Sequence, residues 1–196
     1  MSVLVKICGI TNADDALAAV EAGADALGLN FWPGSPRYVT RERARQILSV
    51  IPGGVLRVGV LVDETAAPVE GLDVLQIHGE GAQVPAGRWW RAIAAGKAIR
   101  ETIEKTPGAE AFLVDTPSGQ ARGGTGRTFD WTLAAGLEAK VILAGGLAPE
   151  NVADALAAAR PWGVDACSRL ERAPGVKDHA RMRAFVRAVR EWEERA

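Results

Sequence analysis

The chain has 196 residues and a formal net charge of −1, with 23 Lys and Arg against 24 Asp and Glu. This length predicts one domain over residues 1–196 with enough chain to bury a substantial core. The balanced charge leaves no electrostatic footprint for nucleic acid or an anionic membrane, so neither is expected as a partner. No apolar run reaches the length of a membrane span, and the N-terminus lacks a signal-peptide core, which together predict a cytoplasmic protein.

Short apolar runs recur along the whole chain and indicate eight β-strands. Amphipathic helical stretches lie between several of them, and this alternation predicts βαβ units with a parallel sheet. The segments after the third and fourth runs are short or rich in Gly and Pro, so outer helices 3 and 4 are expected to be shortened. The predicted strands cover residues 3–8, 26–31, 56–62, 74–78, 89–93, 111–115, 140–144 and 163–167; the clearest helices cover 13–22, 41–51, 149–159 and 178–195.

Most of these strands have one aliphatic face and one small or polar face. In the first strand Ile7 opposes Cys8, and in the sixth Val114 opposes Asp115. In the third strand, residues 56–62, the valines are assigned to the aliphatic face. A closed barrel explains the pattern, because its aliphatic face packs under helices while the polar face lines the interior and mouth. The predicted fold is therefore a (β/α)8 TIM barrel, and not an open doubly wound sheet.

Reactive side chains fall at the C-terminal strand ends, where such barrels place their active sites. Cys8 can act as base or nucleophile, although a buried Cys is often only a small hydrophobe. Arg37 suits a substrate carboxylate, the alternative being a solvated arginine on a turn. His78, with Gln76 beside it, is a candidate acid, base or donor, or else a structural histidine. Asp115 is a candidate general acid, with a cap or an ion-pair partner as its alternative.

The loops after strands seven and eight carry small residues that suit a phosphate. Gly146 and Ser168 lie where these barrels bind phosphate through backbone N–H groups. The glycines of residues 123–126 could admit a ligand or hinge a lid, whereas Asp130 could simply cap a short helix. Together these positions predict a small phosphorylated substrate.

Two further expectations concern charge and metal. Lys6 and Asp165 face inward on the first and last strands, which become neighbours when a barrel closes, so an ion pair is predicted. The two cysteines, Cys8 and Cys167, and the two histidines have no metal-ligand spacing, so no metal site is expected.

The set of motifs resembles the phosphoribosylanthranilate isomerase family over nearly the whole chain. Each motif alone is common, but KICGIT, GGTG-x-x-FDW and LAGGL-x-PENV in that order are highly specific. The matching segments are KICGIT (6–11), GADALGLNF (23–31), SPR (35–37), RVGV (57–60), QIHG (76–79), LVD (113–115), GGTGRTFDW (123–131), LAGGLAPENV (143–152), GVD (163–165) and PGVKD (174–178).

The resemblance implies a barrel enzyme that needs no cofactor and converts N-(5-phosphoribosyl)anthranilate into its aminodeoxyribulose phosphate by an Amadori rearrangement. It implies Cys8 as general base, Asp115 as general acid and Arg37 as the partner of the anthranilate carboxylate. A monomer or a homodimer is expected. The remaining site residues implied are Gln76, His78 and Asp165 for substrate, and Gly145, Gly146, Cys167, Ser168 and Arg169 for phosphate.

Two departures from the family and two alternative functions bear on this expectation, and one departure is that outer helices 3 and 4 look shorter than the family's. The family usually has Val-Ser-Ser-Gly-Val-Glu after the eighth-strand aspartate, whereas residues 166–171 here read Ala-Cys-Ser-Arg-Leu-Glu. Arg169 thus replaces a glycine, and it either binds phosphate itself or turns to solvent or to a neighbouring carboxylate. The alternative functions are a related sugar-phosphate isomerase of broader specificity and a non-catalytic phosphate-ligand sensor. Retention of both Cys8 and Asp115 argues against the sensor.

Overall fold

Eight parallel strands close into a barrel in the order β1 to β8, as the sequence predicts. The computed structural model describes residues 2–64, 67–79, 84–117 and 128–196. Each strand end lies within one residue of its predicted position. The strands are β1 (Leu4–Cys8), β2 (Ala26–Asn30), β3 (Leu56–Val62), β4 (Val74–His78), β5 (Trp89–Ala94), β6 (Ala111–Asp115), β7 (Val141–Leu143) and β8 (Gly163–Ala166).

Side-chain caps begin three of the outer helices. The side chains of Asn12, Thr40 and Asp178 each accept a hydrogen bond from a backbone N–H in the first turn of the helix that follows. Such a bond satisfies a donor that the helix itself cannot pair. The helices are α1 (Ala13–Glu21), α2 (Arg41–Leu48), α3 (Ile99–Glu104), α4 (Val152–Ala159) and α5 (His179–Glu193).

The helical layer is thin beside β3, β4 and β5. Between β3 and β4, the described residues 63–64 and 67–73 contain no helix, and neither do residues 79 and 84–88 between β4 and β5. The shortening predicted for outer helices 3 and 4 is thus confirmed for the part of these segments that the structure describes. The six-residue helix α3 was not predicted. Asp130 caps a 3₁₀ turn over Trp131–Ala134, so its interpretation as the cap of a short helix is confirmed.

The described core has three clusters: one inside the barrel, a large one between strands and helices, and a small outer one of Leu61, Leu75, Ile77 and Trp89. The facing predicted for β3 was wrong. Val58 belongs to the interior cluster, and Val60 and Val62 line the cleft at its mouth, so these valines point inward. Leu61 packs outward, and the Arg57 guanidinium donates to the Ile51 carbonyl at 2.9 Å. Apolar residues fill the interior here, while the thin outer layer lets an arginine lie outside.

The predicted ion pair joins the first and last strands and is confirmed. Lys6 lies opposite Asp165 in the β1–β8 register, and its Nζ atom donates to Asp165 Oδ1 at 2.6 Å. The Lys6 side chain has no solvent exposure, and that of Asp165 is 10% exposed. Burial is the largest influence and lowers the lysine pKa, but the Asp165 and Cys8 charges and the hydrogen bonds to both groups together outweigh it, and the net pKa is raised. Lys6 therefore stays charged inside the barrel.

Removing one partner of this pair is expected to cost much stability. Lys6→Met would leave the Asp165 carboxylate buried without its cation, so the free energy of unfolding should fall by about 3–5 kcal/mol. Lys105→Met is the matched control, because its pair with Glu101 is solvent-exposed and should contribute less than about 1 kcal/mol. Urea unfolding at neutral pH measures both. Equal midpoints for Lys6→Met and the parent chain would contradict the expectation.

Candidate active site

A cleft of about 230 Å³ opens at the C-terminal ends of the strands. Every site residue predicted from the sequence lines it, so positions scattered over the chain converge at one mouth. This is the end at which such barrels carry their reactive groups. The predicted residues in its wall are Cys8, Arg37, Gln76, His78, Asp115, Gly145, Gly146, Asp165, Cys167, Ser168 and Arg169.

Cys8 ends β1 and is partly exposed to the cleft. Hydrogen bonding with the Cys167 thiol is the largest influence on it and lowers its pKa. Burial opposes this effect, the Lys6 charge adds to it, and the pKa settles at about 7. A side chain at position 28 would disturb this arrangement, because a Cβ on Gly28 would lie 2.8 Å from Cys8 Sγ and 3.0 Å from Lys6 Nζ. Cys8 is thus available as a thiolate near neutral pH.

Asp115 ends β6, and its pKa is shifted in the opposite direction to that of Cys8. Burial, with the nearby Asp165 charge, raises its pKa to about 6, although its Oδ1 atom accepts a hydrogen bond from the Thr116 backbone at 2.7 Å. A raised pKa lets a carboxyl group act as a proton donor near neutral pH. Gly145 packs against it with φ at +82°, and a Cβ there would lie 2.2 Å from Thr116 Oγ1. The cleft therefore holds one candidate base and one candidate acid.

Arg37 is held by a carboxylate of the protein and is not a solvated surface arginine. Its Nε and Nη2 atoms donate to the two Glu171 carboxylate oxygens at 2.8 and 2.7 Å. Lys177 Nζ donates to Glu171 Oε1 at 3.0 Å and to the Cys167 carbonyl at 3.2 Å. Two cations share this carboxylate, and the Arg37 Nη1 group takes no part in the pair.

Sequence reasoning missed Lys177 and Glu171 as members of the site. Both belong to an antiparallel hairpin, β9 (Glu171–Ala173) and β10 (Val176–Lys177), which was not predicted either. The Pro174-Gly175 pair is a turn signal that could have located it. Strands of three and two residues are too short to show periodicity. Eleven residues that line the cleft were not predicted as site residues either: Gly9, Asn30, Trp32, Gly34, Ser35, Pro36, Val60, Val62, Leu113, Ala144 and Leu147.

Gln76 and His78 form a polar pair at the end of β4. Gln76 Nε2 and His78 Nε2 are 2.8 Å apart and hydrogen-bonded. Gln76 is 2% exposed, and its Oε1 atom has no hydrogen-bond partner among the described residues. A buried carbonyl oxygen without a partner is costly, and a ligand donor in the cleft would satisfy it.

The loops after β7 and β8 present backbone groups to the cleft. Gly145 and Gly146 have φ of +82° and +65°, and among the described residues neither backbone N–H donates to a protein acceptor. Asn151 fixes this loop by accepting from the Ala148 N–H at 2.8 Å and donating to the Gly146 carbonyl at 3.1 Å. Successive backbone N–H groups in such turns form concavities that bind anions. The Arg169 side chain lies exposed beside this loop.

Three other observations concern the described part of the chain only. Among residues 2–64, 67–79, 84–117 and 128–196, no three His, Cys, Asp or Glu side chains are placed to hold a metal ion. None of the helices in these ranges is both long and apolar enough to cross a membrane. The glycine-rich residues 123–126, a candidate lid, lie outside the described residues.

Comparison with known proteins gives one consistent family. The family described as N-(5'phosphoribosyl)anthranilate (PRA) isomerase matches residues 5–188. An N-(5'-phosphoribosyl)anthranilate isomerase of Pseudomonas fluorescens is 45% identical over 201 residues, covering 94% of this chain and 97% of the relative. One from Solibacter usitatus is 46% identical over 200 residues, covering 95% and 97%.

Solved structures agree with this relation. Phosphoribosyl anthranilate isomerase from Thermotoga maritima is 36% identical, with a TM-score of 0.85 over 97% of this chain and 100% of that one. A structure of the enzyme in complex with reduced 1-(o-carboxyphenylamino)-1-deoxyribulose 5-phosphate is 34% identical, with a TM-score of 0.80 over the same shares. Another, of monomers generated from the dimeric Thermotoga maritima enzyme, is 35% identical with a TM-score of 0.80 over the same shares. The chain belongs to the N-(5'-phosphoribosyl)anthranilate isomerase family, enzymes of tryptophan biosynthesis.

Proposed function

We propose that this cleft isomerises N-(5-phosphoribosyl)anthranilate by an Amadori rearrangement, with Cys8 as general base and Asp115 as general acid. One observation carries the assignment of roles. The pKa of Cys8 is lowered to about 7 and that of Asp115 is raised to about 6 within the same cleft. Groups whose environments move their pKa values toward the working pH are the usual carriers of acid–base catalysis.

The positions of the two groups suit the proposed chemistry. Protonated Asp115 gives its proton to the ribose ring oxygen, and the ring opens to a Schiff base. The Cys8 thiolate then removes the proton from C2, which leaves an enol-amine that tautomerises to the ketone. β1 and β6 lie three strand positions apart around the barrel, so base and acid approach the sugar from different sides. Apart from the opening of the ring C–O bond, the steps are proton transfers, for which these two side chains suffice.

The remaining side chains are proposed to position the substrate. The Arg37 Nη1 group would receive the anthranilate carboxylate, since Glu171 occupies the other edge of the guanidinium. Gln76 Oε1 would accept from a substrate hydroxyl, with His78 and Asp165 near it in the wall. The N–H groups of Gly145 and Gly146, with Cys167, Ser168 and Arg169 after β8, would hold the phosphate.

A fluorescence assay tests the proposed activity. Loss of phosphoribosylanthranilate is followed with the purified chain, with and without exhaustive chelation. We expect turnover of this substrate at equal rates in both conditions. A parallel assay with the aminoaldose substrate of histidine biosynthesis would reveal broader specificity. Binding of phosphoribosylanthranilate without turnover would instead indicate a sensor and contradict the proposal.

The pH dependence of kcat/KM follows from the two pKa values. The thiolate fraction of Cys8 rises through pH 7, whereas the protonated fraction of Asp115 falls through pH 6. The product of the two fractions is nearly level between about pH 6 and 7, where at most about a tenth of the enzyme is correctly protonated. Outside this window kcat/KM should fall about tenfold per pH unit on either side. A level profile from about pH 5 to pH 8.5, with the fold intact by circular dichroism, would contradict it.

Arg169 gives a separate prediction about the phosphate. If its guanidinium binds this group, Arg169→Ala should raise KM markedly and alter inhibition by inorganic phosphate. Arg169→Gly, which places the family's residue at this position, should lose less. Arg172→Ala is the control, because Arg172 is exposed on the hairpin and does not line the cleft. If Arg169→Ala leaves both KM and inhibition by inorganic phosphate unchanged, the Arg169 side chain does not bind the substrate phosphate.

The assembly and extent of the active unit are proposed in the same way. The Thermotoga relative is described as dimeric, and we propose a monomer or a homodimer for this chain. We also propose that residues 1–196 act as one domain. Light scattering of the purified chain distinguishes the two assemblies.

A further inference from the structure

The two cysteines of the chain lie side by side at the mouth of the barrel. Ile7 on β1 pairs with Ala166 on β8, so the next positions in the register are Cys8 and Cys167. Lys6 and Asp165, two residues earlier, meet inside the barrel, and alternation along the strands places both thiols on that same face. Neighbouring strands run about 4.8 Å apart, within the range of about 4.4–6.8 Å that a disulfide needs between Cα atoms.

The thiols are also close to each other and open to the cleft. Cys167 Sγ lies against the backbone that follows Cys8, because a Cβ on Gly9 would be 2.9 Å from it. Both side chains line the cleft and are partly exposed, so a small oxidant in solution can reach them. No other cysteine exists in the chain.

The hydrogen bond between the two thiols distinguishes an attacking cysteine from a resolving one. Cys8 has the lowered pKa, whereas hydrogen bonding with Cys8 raises that of Cys167, so Cys167 keeps its proton. Lys177 Nζ lies 3.8 Å from Cys167 Sγ and can stabilise the thiolate of Cys167 once Cys8 has reacted. A reactive thiolate beside a resolving cysteine is the arrangement on which reversible thiol oxidation depends.

We propose that Cys8 and Cys167 form a reversible oxidation site, in which a hydroperoxide converts them into a disulfide between β1 and β8. The Cys8 thiolate attacks the peroxide oxygen, the O–O bond breaks, and the products are a sulfenic acid on Cys8 and a hydroxide ion, or an alkoxide from an organic peroxide. Cys167 then attacks the Cys8 sulfur, the S–O bond breaks, and the oxygen leaves as water. Two thiols are oxidised and one peroxide is reduced. A dithiol reductant reverses the change by thiol–disulfide exchange, which restores both cysteine thiols and leaves the reductant as its own disulfide.

Disulfide formation would stop the isomerisation, and this consequence rests on the proposed role of Cys8 as general base. Once Cys8 is bonded to Cys167, its sulfur is too weak a base at neutral pH to remove the proton from C2 of the sugar. The same bond protects Cys8, because the sulfenic acid is consumed before more peroxide can carry it to the irreversible sulfinic acid.

The experiment oxidises the full chain with hydrogen peroxide and compares it with Cys167→Ser treated in the same way. In the parent chain we expect both thiols to disappear from a maleimide count, the monomer mass to fall by two hydrogens, and dithiothreitol to restore mass, thiols and activity. In Cys167→Ser, Cys8 should gain one and then two oxygens, and its lost activity should not return fully with dithiothreitol. Each chain is compared with its own untreated sample.

Two readouts keep the result decisive. Mass and thiol count do not depend on isomerase activity, so they test the disulfide even if the proposed function fails. A peptide map of the oxidised parent must contain residues 8 and 167 in one linked peptide. The proposal is overturned if the parent gains oxygen at Cys8 while Cys167 still reacts with maleimide, or if the linkage joins two chains.

Discussion

Replacing Cys8 with alanine should lower kcat by about 10²–10⁴-fold, because general acid–base catalysis contributes roughly that factor per group. Substrate affinity should change little, since the proposed role of the thiolate is to take a proton and not to hold the substrate. Cys8→Ser should be similarly slow, because a hydroxyl does not ionise near neutral pH and the Lys6 charge cannot make it do so. Steady-state kinetics with phosphoribosylanthranilate measure both variants.

A control on the same strand separates chemistry from folding. Ile7 lies next to Cys8 but packs on the outer face of β1, in the core beneath the helices. Ile7→Val should lose about 0.5–1.5 kcal/mol of stability and keep nearly normal kcat. If the folded Cys8→Ala variant turned over at nearly the parent rate, Cys8 would not be the base.

The Asp115→Asn substitution should also have a large effect: it should lower kcat without lowering the free energy of unfolding. The amide matches the carboxyl in shape and still accepts from the Thr116 N–H, but it has no acidic proton, so kcat should fall by about 10²–10⁴-fold. Burial and the nearby Asp165 raise the folded pKa, so the ionised carboxylate opposes folding once the pH exceeds about 6. Removing that charge should stabilise the fold by about 1–3 kcal/mol at pH 7.

Thermal unfolding at two pH values tests whether Asp115→Asn stabilises the fold as predicted. The stabilisation of Asp115→Asn over the parent should be present at pH 7 and mostly lost at about pH 4, where the folded parent keeps this proton and the unfolded parent keeps nearly half of it. A variant with a lower melting temperature at pH 7 would mean that the carboxylate supports the fold. Near-normal turnover would mean that another group donates the proton.

Much of the fold, and the location of the cleft, can be predicted from local patterns in the sequence. Strands with one aliphatic and one polar face implied a closed barrel, and closure implied that Lys6 would meet Asp165, which it does. The positions at strand ends implied which side chains share a mouth, because parallel strands present their C-terminal ends together. For Cys8, Arg37 and Asp115 the shared cleft follows from this rule.

The remaining features depend on contacts that no local pattern contains. The valines of β3 point inward because of how the interior is filled and how thinly the outside is covered, and both depend on other segments. The carboxylate that holds Arg37 comes from Glu171, which lies 134 residues away in a hairpin too short to recognise. The shifted pKa values likewise arise in the assembled barrel: burial raises that of Asp115, with Asp165 adding to the effect, and the hydrogen bond with Cys167 lowers that of Cys8.

The Lys6–Asp165 contact has a consequence for the order of events in folding. It spans 159 residues, so bringing β1 and β8 together closes a loop of almost the entire chain and carries nearly the largest loop-closure entropy that this chain allows. Cys8 acquires its neighbours Cys167 and Lys177 at that same junction. A half-barrel with its local βαβ units formed would therefore lack the environment that ionises Cys8. Recovery of catalytic activity during refolding would then report the joining of the two chain ends, and not the earlier formation of helices or sheet.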